Sequence, residues 1–258
     1  MRRLGLLLAL LLATPAAAEP SPARGGWTSL ELHVGGRILA AALSPKPSVD
    51  DILTIVIEGD GAAHDARGSP RGDPTPRNPV GRRIAMAWPS GGVAWLGRPC
   101  QYVADPACRP ADWTTDRFST QAVETASLAI DDLKALAGAR RVRLVGWSGG
   151  GVLAALLTAR RDDVAGLVTV AAPLDLAGWT LWHGASALPR EGDPARLAAP
   201  LQTAQLHLLG AFDTIVPPVV AQTAARRLAG EDAAVVIGDA RHTCCWTSLT
   251  PMMARVGR

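Results

Sequence analysis

Arg141-Val-Arg-Leu-Val-Gly-Trp-Ser148-Gly-Gly-Gly-Val-Leu-Ala-Ala-Leu156 is the stretch whose reading decides the fold. Residues 142–145 form a short apolar run with β-branched members, the pattern of a buried strand. Residues 150–160 read as a helix opened by glycines. Between the two, Gly146-Trp147-Ser148-Gly149-Gly150 matches Gly-x-Ser-x-Gly. Five residues of this kind are weak alone in a chain with 26 glycines. The strand before and the helix after give them meaning. A sharp strand-to-helix turn needs small residues on both sides of the serine, because the backbone there is strained and closely packed. Such a turn lifts the hydroxyl above a sheet and aims it at a helix N-terminus, whose dipole favours developing negative charge.

Working outward, the same alternation recurs. Strands are expected at 52–57, 93–96, 167–171, 206–209 and 235–237. Helices are expected at 80–87, 117–137 (closing at Gly138), 218–228 and 246–255. Apolar strands alternating with helices imply βα units and a mostly parallel central sheet with helices on both faces. Residues 30–43, with Gly35-Gly36 at a turn, add an antiparallel N-terminal hairpin. Residues 62–79, rich in Gly, Pro, Asp and Arg, read as a long surface loop. Residues 174–200 read as irregular, hold Trp179, Trp182 and His183, and are long enough for a small lid. No linker divides the chain, so residues 19–258 are expected to form one α/β domain.

In the Ser148 turn and this order of elements, the chain resembles the α/β-hydrolase family from about residue 30 onward. That resemblance implies an α/β-hydrolase fold and a catalytic order of serine, then Asp or Glu, then histidine. A serine hydroxyl is a poor nucleophile until a base takes its proton. His242 follows the last expected strand and fits the base. Asp213, in Gly210-Ala-Phe-Asp213-Thr-Ile-Val-Pro217, follows the preceding strand and fits the acid that orients the imidazole. Asp175 is the runner-up acid, and His207, inside a strand, reads as a core residue. An oxyanion hole needs two backbone N–H groups. Gly149 supplies one. The other belongs to the loop after 52–57, where the family commonly has His-Gly-x-Gly and this chain has Glu58-Gly59-Asp60-Gly61. Asp60, with Gly61 next, is the expected donor. Its charged side chain must turn away or be paired. Trp147, Arg98, Gln101 and Trp179 are further candidates for contact with substrate. Arg98 either binds a substrate carboxylate or pairs with Asp60 or Glu58.

Composition bounds the remainder. Arg2 and Arg3, the apolar run 4–13 and Ala16-Ala17-Ala18 read as a secretory leader cleaved near Ala18, too short to span a membrane. Its removal lowers the formal charge from +3 to about +1, and no dense basic run indicates a nucleic-acid partner; the short apolar run, with no cysteine directly after it, indicates no stable membrane anchor. Export, to periplasm or medium, permits disulfides among Cys100, Cys108, Cys244 and Cys245. Three connectivities are open. Cys100–Cys108 closes a short loop and is preferred, whereas Cys244–Cys245 would form a vicinal ring of unusual geometry. A zinc site at His242-Thr-Cys244-Cys245 lacks a second ligand pair. The expected activity is hydrolysis of an ester or amide in a small-molecule or acyl substrate, with neither metal nor organic cofactor. Acyl transfer or peptide cleavage by the same triad is the alternative within the class. A non-catalytic binding protein on the same scaffold is the alternative outside it. Oligomeric state is not legible.

Overall fold

The computed structural model describes residues 26–65, 67–230 and 234–258. The proposed leader lies outside the described residues. Among the described residues, eight strands form one sheet: β1 (Thr28–Val34), β2 (Arg37–Leu43), β3 (Ile52–Ile57), β4 (Val93–Leu96), β5 (Arg141–Trp147), β6 (Val164–Val170), β7 (Ala204–Gly210) and β8 (Ala234–Gly238). Their order is β1-β2-β4-β3-β5-β6-β7-β8. Only β2 runs against the rest, because the hairpin turns at Gly35-Gly36 and β2 pairs antiparallel with both β1 and β4. All other pairings are parallel.

Six α-helices among the described residues accompany the sheet: α1 (Val80–Met86), α2 (Thr120–Leu136), α3 (Gly149–Thr158), α4 (Leu176–Trp182), α5 (Pro218–Ala229) and α6 (Thr250–Met253). The side chains of β3 show how they are distributed. Leu53, Ile55 and Ile57 join the core built with α2, α3 and α5, whereas Val56 joins the core built with α1 and α6. Successive strand residues point to opposite faces, so β3, buried at every position, is apolar at all but Thr54, whose hydroxyl accepts from Arg143 Nη1.

The chain leaves β3 toward β4 on one side, and β5 lies on the other side of β3. At such a switch point the loops at the strand C-termini diverge and leave a crevice. The loop after β3 and the turn after β5 meet there.

Three sequence expectations are corrected locally. The helix expected from 117 begins at Thr120, because Ser119 caps it by accepting from the Ala122 amide. Arg117 therefore stays outside the helix and turns toward the crevice. Residues 174–200 are not wholly irregular. Asp175 caps α4 by accepting from the Gly178 amide, and the Asp193 carboxylate takes the amides of Leu176, Ala177 and Ala195. The C-terminal helix splits into a 3₁₀ turn (Trp246–Leu249) and α6, with Pro251, which has no N–H to continue a helix begun earlier, at the junction. Sulfur–sulfur bonds join Cys100 to Cys108, the preferred pair, and Cys244 to Cys245, the vicinal ring that the sequence left open.

Candidate active site

Ser148 sits between β5 and α3 with φ 53° and ψ −125°, a left-handed conformation that a non-glycine residue adopts only where packing enforces it. The packing is explicit at Gly150. A Cβ there would lie 2.4 Å from the Ile57 carbonyl oxygen. The turn can therefore approach β3 only because position 150 has no side chain.

The imidazole of His242 lies beside the hydroxyl, with Nε2 3.1 Å from Ser148 Oγ. Its Nδ1 is 2.8 Å from Asp213 Oδ2. The other Asp213 oxygen accepts the Ile215 and Val216 amides, at 2.9 and 2.8 Å. Asp213 is only 3 % exposed, and these bonds offset the cost of burying its carboxylate. The His242 carbonyl accepts from Trp147 Nε1 and Trp246 Nε1, both at 3.0 Å, which fixes the loop carrying the ring. Three loops that follow β5, β7 and β8 thus bring Ser148, Asp213 and His242 into one hydrogen-bonded line. Asp175 is not part of it, being engaged as the α4 cap.

The opposite side of Ser148 is built from charge. Glu58, at the end of β3, is fully buried. Its carboxylate accepts the Gly59, Gly81 and Arg82 amides and Trp95 Nε1, at 3.0 to 3.1 Å. It thereby satisfies the N-terminus of α1. Burial pushes its pKa up, opposed by the backbone N–H groups and the indole that donate to it.

Two residues on, the Asp60 carboxylate lies against Gly149. A Cβ at Gly149 would meet Asp60 Oδ1 at 1.9 Å. Glycine at that position leaves the space that the carboxylate fills. The charge is paired twice, by Arg98 Nη1 on Oδ1 and by Arg117 Nε on Oδ2, each at 3.0 Å. Arg98 also donates to the Arg117 carbonyl, and both guanidiniums pack on the Phe118 ring, 5.2 and 5.1 Å from its centroid. Burial lowers the Arg98 pKa, and its attraction to Asp60 opposes that shift.

A cleft of about 1130 Å³ opens above Ser148 and His242. Trp147, Trp179, Asp60 and Gly61 line it, as the sequence suggested. Arg98 and Gln101 do not. Arg98 is 4 % exposed and belongs to the Asp60 pairing, the second of its two expected roles. Gln101 is 1 % exposed and braces the loop after β3, donating to the Gly59 carbonyl and accepting from the Arg98 amide. Both stand behind the wall. Sequence reasoning missed Ile215, His183 and Arg77 as lining residues. For Ile215 a signal existed, since it lies two residues past Asp213 on a loop at a strand C-terminus. Trp179 Nε1 donates to the Ile215 carbonyl, at 2.7 Å, and ties α4 across the cleft.

Neither a protein-family model nor a curated sequence matches the chain. Solved structures do match in shape. An alpha-beta serine hydrolase homologue from Coxiella burnetii superposes with a TM-score of 0.59 at 16% identity, covering 88% of this chain and 96% of its own. An esterase from Pyrococcus furiosus gives 0.62 at 12% identity, covering 90% and 92%. An a/b serine hydrolase from Xanthomonas campestris, described as lacking a lid, gives 0.60 at 15% identity, covering 90% and 95%. At these identities the likeness establishes the fold. The chain has the α/β-hydrolase fold, with an antiparallel N-terminal hairpin on a mostly parallel sheet.

Proposed function

We propose that this chain is a serine hydrolase of ester or amide bonds. The observation that carries the reading is the unbroken line from Ser148 Oγ through His242 to Asp213 Oδ2, open to a cleft. In this reading His242 Nε2 takes the hydroxyl proton as Ser148 Oγ attacks the carbonyl carbon. Asp213 holds the ring with Nδ1–H toward itself and stabilises the imidazolium. The tetrahedral oxygen is received by the amides of Gly149 and Asp60, with Gly61 beside them. Gly149 is the first residue of α3, so its N–H has no partner within the helix. The imidazolium then protonates the leaving alcohol or amine. Water, activated by the same ring, releases the acid from Ser148. Esters are favoured over peptides because the Pyrococcus furiosus neighbour is described as an esterase, which is an argument by analogy of fold.

A 4-nitrophenyl ester tests the reading. The expected result is nitrophenol release, with an acyl adduct on Ser148 trapped at low pH and detected by intact mass. Hydrolysis undiminished in Ser148→Ala would overturn it.

We also propose export with cleavage near Ala18. The bonds Cys100–Cys108 and Cys244–Cys245 suit an oxidising compartment, and no helix among the described residues is long and apolar enough to cross a membrane. The N-terminal residue of protein recovered from the periplasm or medium checks this, with Glu19 expected.

A further inference from the structure

The charges that line the cleft are one-sided. Arg71, Arg77 and Arg117 face it, against a single carboxylate, Asp60. Asp60 is already shared by Arg98 and Arg117, so that cluster holds two positive charges against one negative. The guanidiniums of Arg71 and Arg77 have neither a hydrogen bond nor an ion pair among the described residues. The acids of the same loop do not compensate them. Asp65 accepts the Arg67 and Ser69 amides, and Asp73 accepts the Thr75 amide, each closing its own turn outside the cleft. The chain as a whole is close to neutral, with a formal charge of +3, so general basicity does not explain three arginines lining one cleft.

Arg77 is placed by both of its neighbours. Pro76 Cδ lies 3.0 Å from where a Gly61 Cβ would be, against the loop expected to receive the oxyanion. On the other side, Asn78 accepts from Arg83, which donates through Nη2 to the carbonyl of Thr243 at 3.0 Å, one residue beyond His242. Arg77 is therefore held between the oxyanion side and the base side of Ser148. Trp179, Leu188 and Ile215 give the same cleft an apolar part, with the Arg117 guanidinium 6.0 Å from the Trp179 ring centroid.

From this asymmetry we infer that the substrate of the Ser148 site is an ester or amide carrying a carboxylate. Arg77, with Arg71 beyond it, receives the carboxylate, and the apolar remainder lies against Trp179 and Ile215. The inference rests on the hydrolase reading. A guanidinium without an internal partner gains a charge-assisted bond when a carboxylate enters, and the nearby cluster adds attraction at longer range. The carboxylate belongs either to the acyl part or to the leaving group.

Two matched pairs separate those sources. The monoester of adipic acid with 4-nitrophenol is compared with 4-nitrophenyl hexanoate, and 4-carboxyphenyl butyrate with 4-acetylphenyl butyrate. The anionic member of one pair is expected to have a kcat/KM about tenfold or more above its neutral partner, equivalent to about 1.4 kcal/mol. The ratio should fall toward one in Arg77→Gln, recover in part in Arg77→Lys, and shrink at high salt. A second readout needs no turnover: hexanoate should slow labelling of Ser148 by a fluorophosphonate more than hexanamide does. Labelling of Ser148 with no preference for the anion in either pair or in the competition would overturn the substrate class and leave the hydrolase reading intact. Failure of Ser148 to label at all would instead remove the hydrolase reading beneath it.

Discussion

The two sides of Ser148 are assembled by different physics. On the Asp213–His242 side every link is a hydrogen bond within or between the loops that follow β5, β7 and β8. On the Glu58–Asp60 side the links are charges paired across long stretches of sequence, Asp60 with Arg98 and Arg117, and Glu58 with the first turn of α1. The first side uses residue types at positions set by strand order. The second replaces the histidine that the family resemblance led one to expect with a buried carboxylate, and surrounds a second carboxylate with arginines. In the proposed mechanism one side moves a proton and the other holds backbone donors in place, so damage to each should differ in kind and size.

The largest effect is expected on the first side. His242→Ala should lower kcat by about 10⁴-fold or more, and Asp213→Asn by about 10³- to 10⁴-fold, with little change in thermal stability for the alanine variant. Ester turnover by stopped assay and Tm together check this. A His242→Ala enzyme of near wild-type rate would break the base assignment.

Next comes the contact that joins the two sides. Gly149→Ala places a methyl group where Asp60 Oδ1 now lies, and should lower kcat by about 10- to 100-fold by displacing the loop that bears the second donor. In an Asp60→Ala background the same substitution should cost much less. Equal losses in both backgrounds would show that the carboxylate is not what Gly149 accommodates.

Glu58→Gln tests the second side alone. Each Glu58 oxygen accepts two N–H groups, so an amide nitrogen at either place opposes donors. The expected cost is about 1–3 kcal/mol, seen as a Tm lowered by roughly 3–10 °C.

The last effect is confined to low pH and comes from a group outside both sides. His207, in β7, is fully buried, with Nδ1 2.7 Å from Thr169 Oγ1 and Nε2 3.1 Å from Gln205 Oε1. Burial lowers its pKa to about 4. The unfolded chain takes up a proton near pH 6.5 and the native state does not, so stability falls as pH drops from about 6.5 to about 4 and is unaffected by this residue above that window. The loss is on the order of 3 kcal/mol at most. His207→Gln should flatten the decline of Tm over that range.

What was legible in the sequence follows the same division. The sheet, its antiparallel hairpin and the positions of Ser148, Asp213 and His242 follow from period and order, which residue types alone express. The ends of helices were less legible. The helix expected from 117 starts at Thr120 because a serine side chain caps it, and α4 lies inside a segment read as irregular because Asp175 and Asp193 hold its first amides. Arg98 illustrates what pattern does not carry. Its two expected roles differ only in which partner lies within reach of its guanidinium, and that depends on how residues 60 and 117 approach across the switch point. The state of Cys244 and Cys245 is likewise open in the sequence, and the turn after His242 is what brings the adjacent sulfurs together.

The central claim is that Ser148 is a nucleophile activated by His242. Its most direct test is the site and stoichiometry of labelling by a fluorophosphonate, read by intact mass and peptide mapping. The account predicts one adduct per chain, on Ser148, formed at least 100-fold more slowly in His242→Ala and not at all in Ser148→Ala. An adduct elsewhere, or wild type and Ser148→Ala labelled alike, would contradict it.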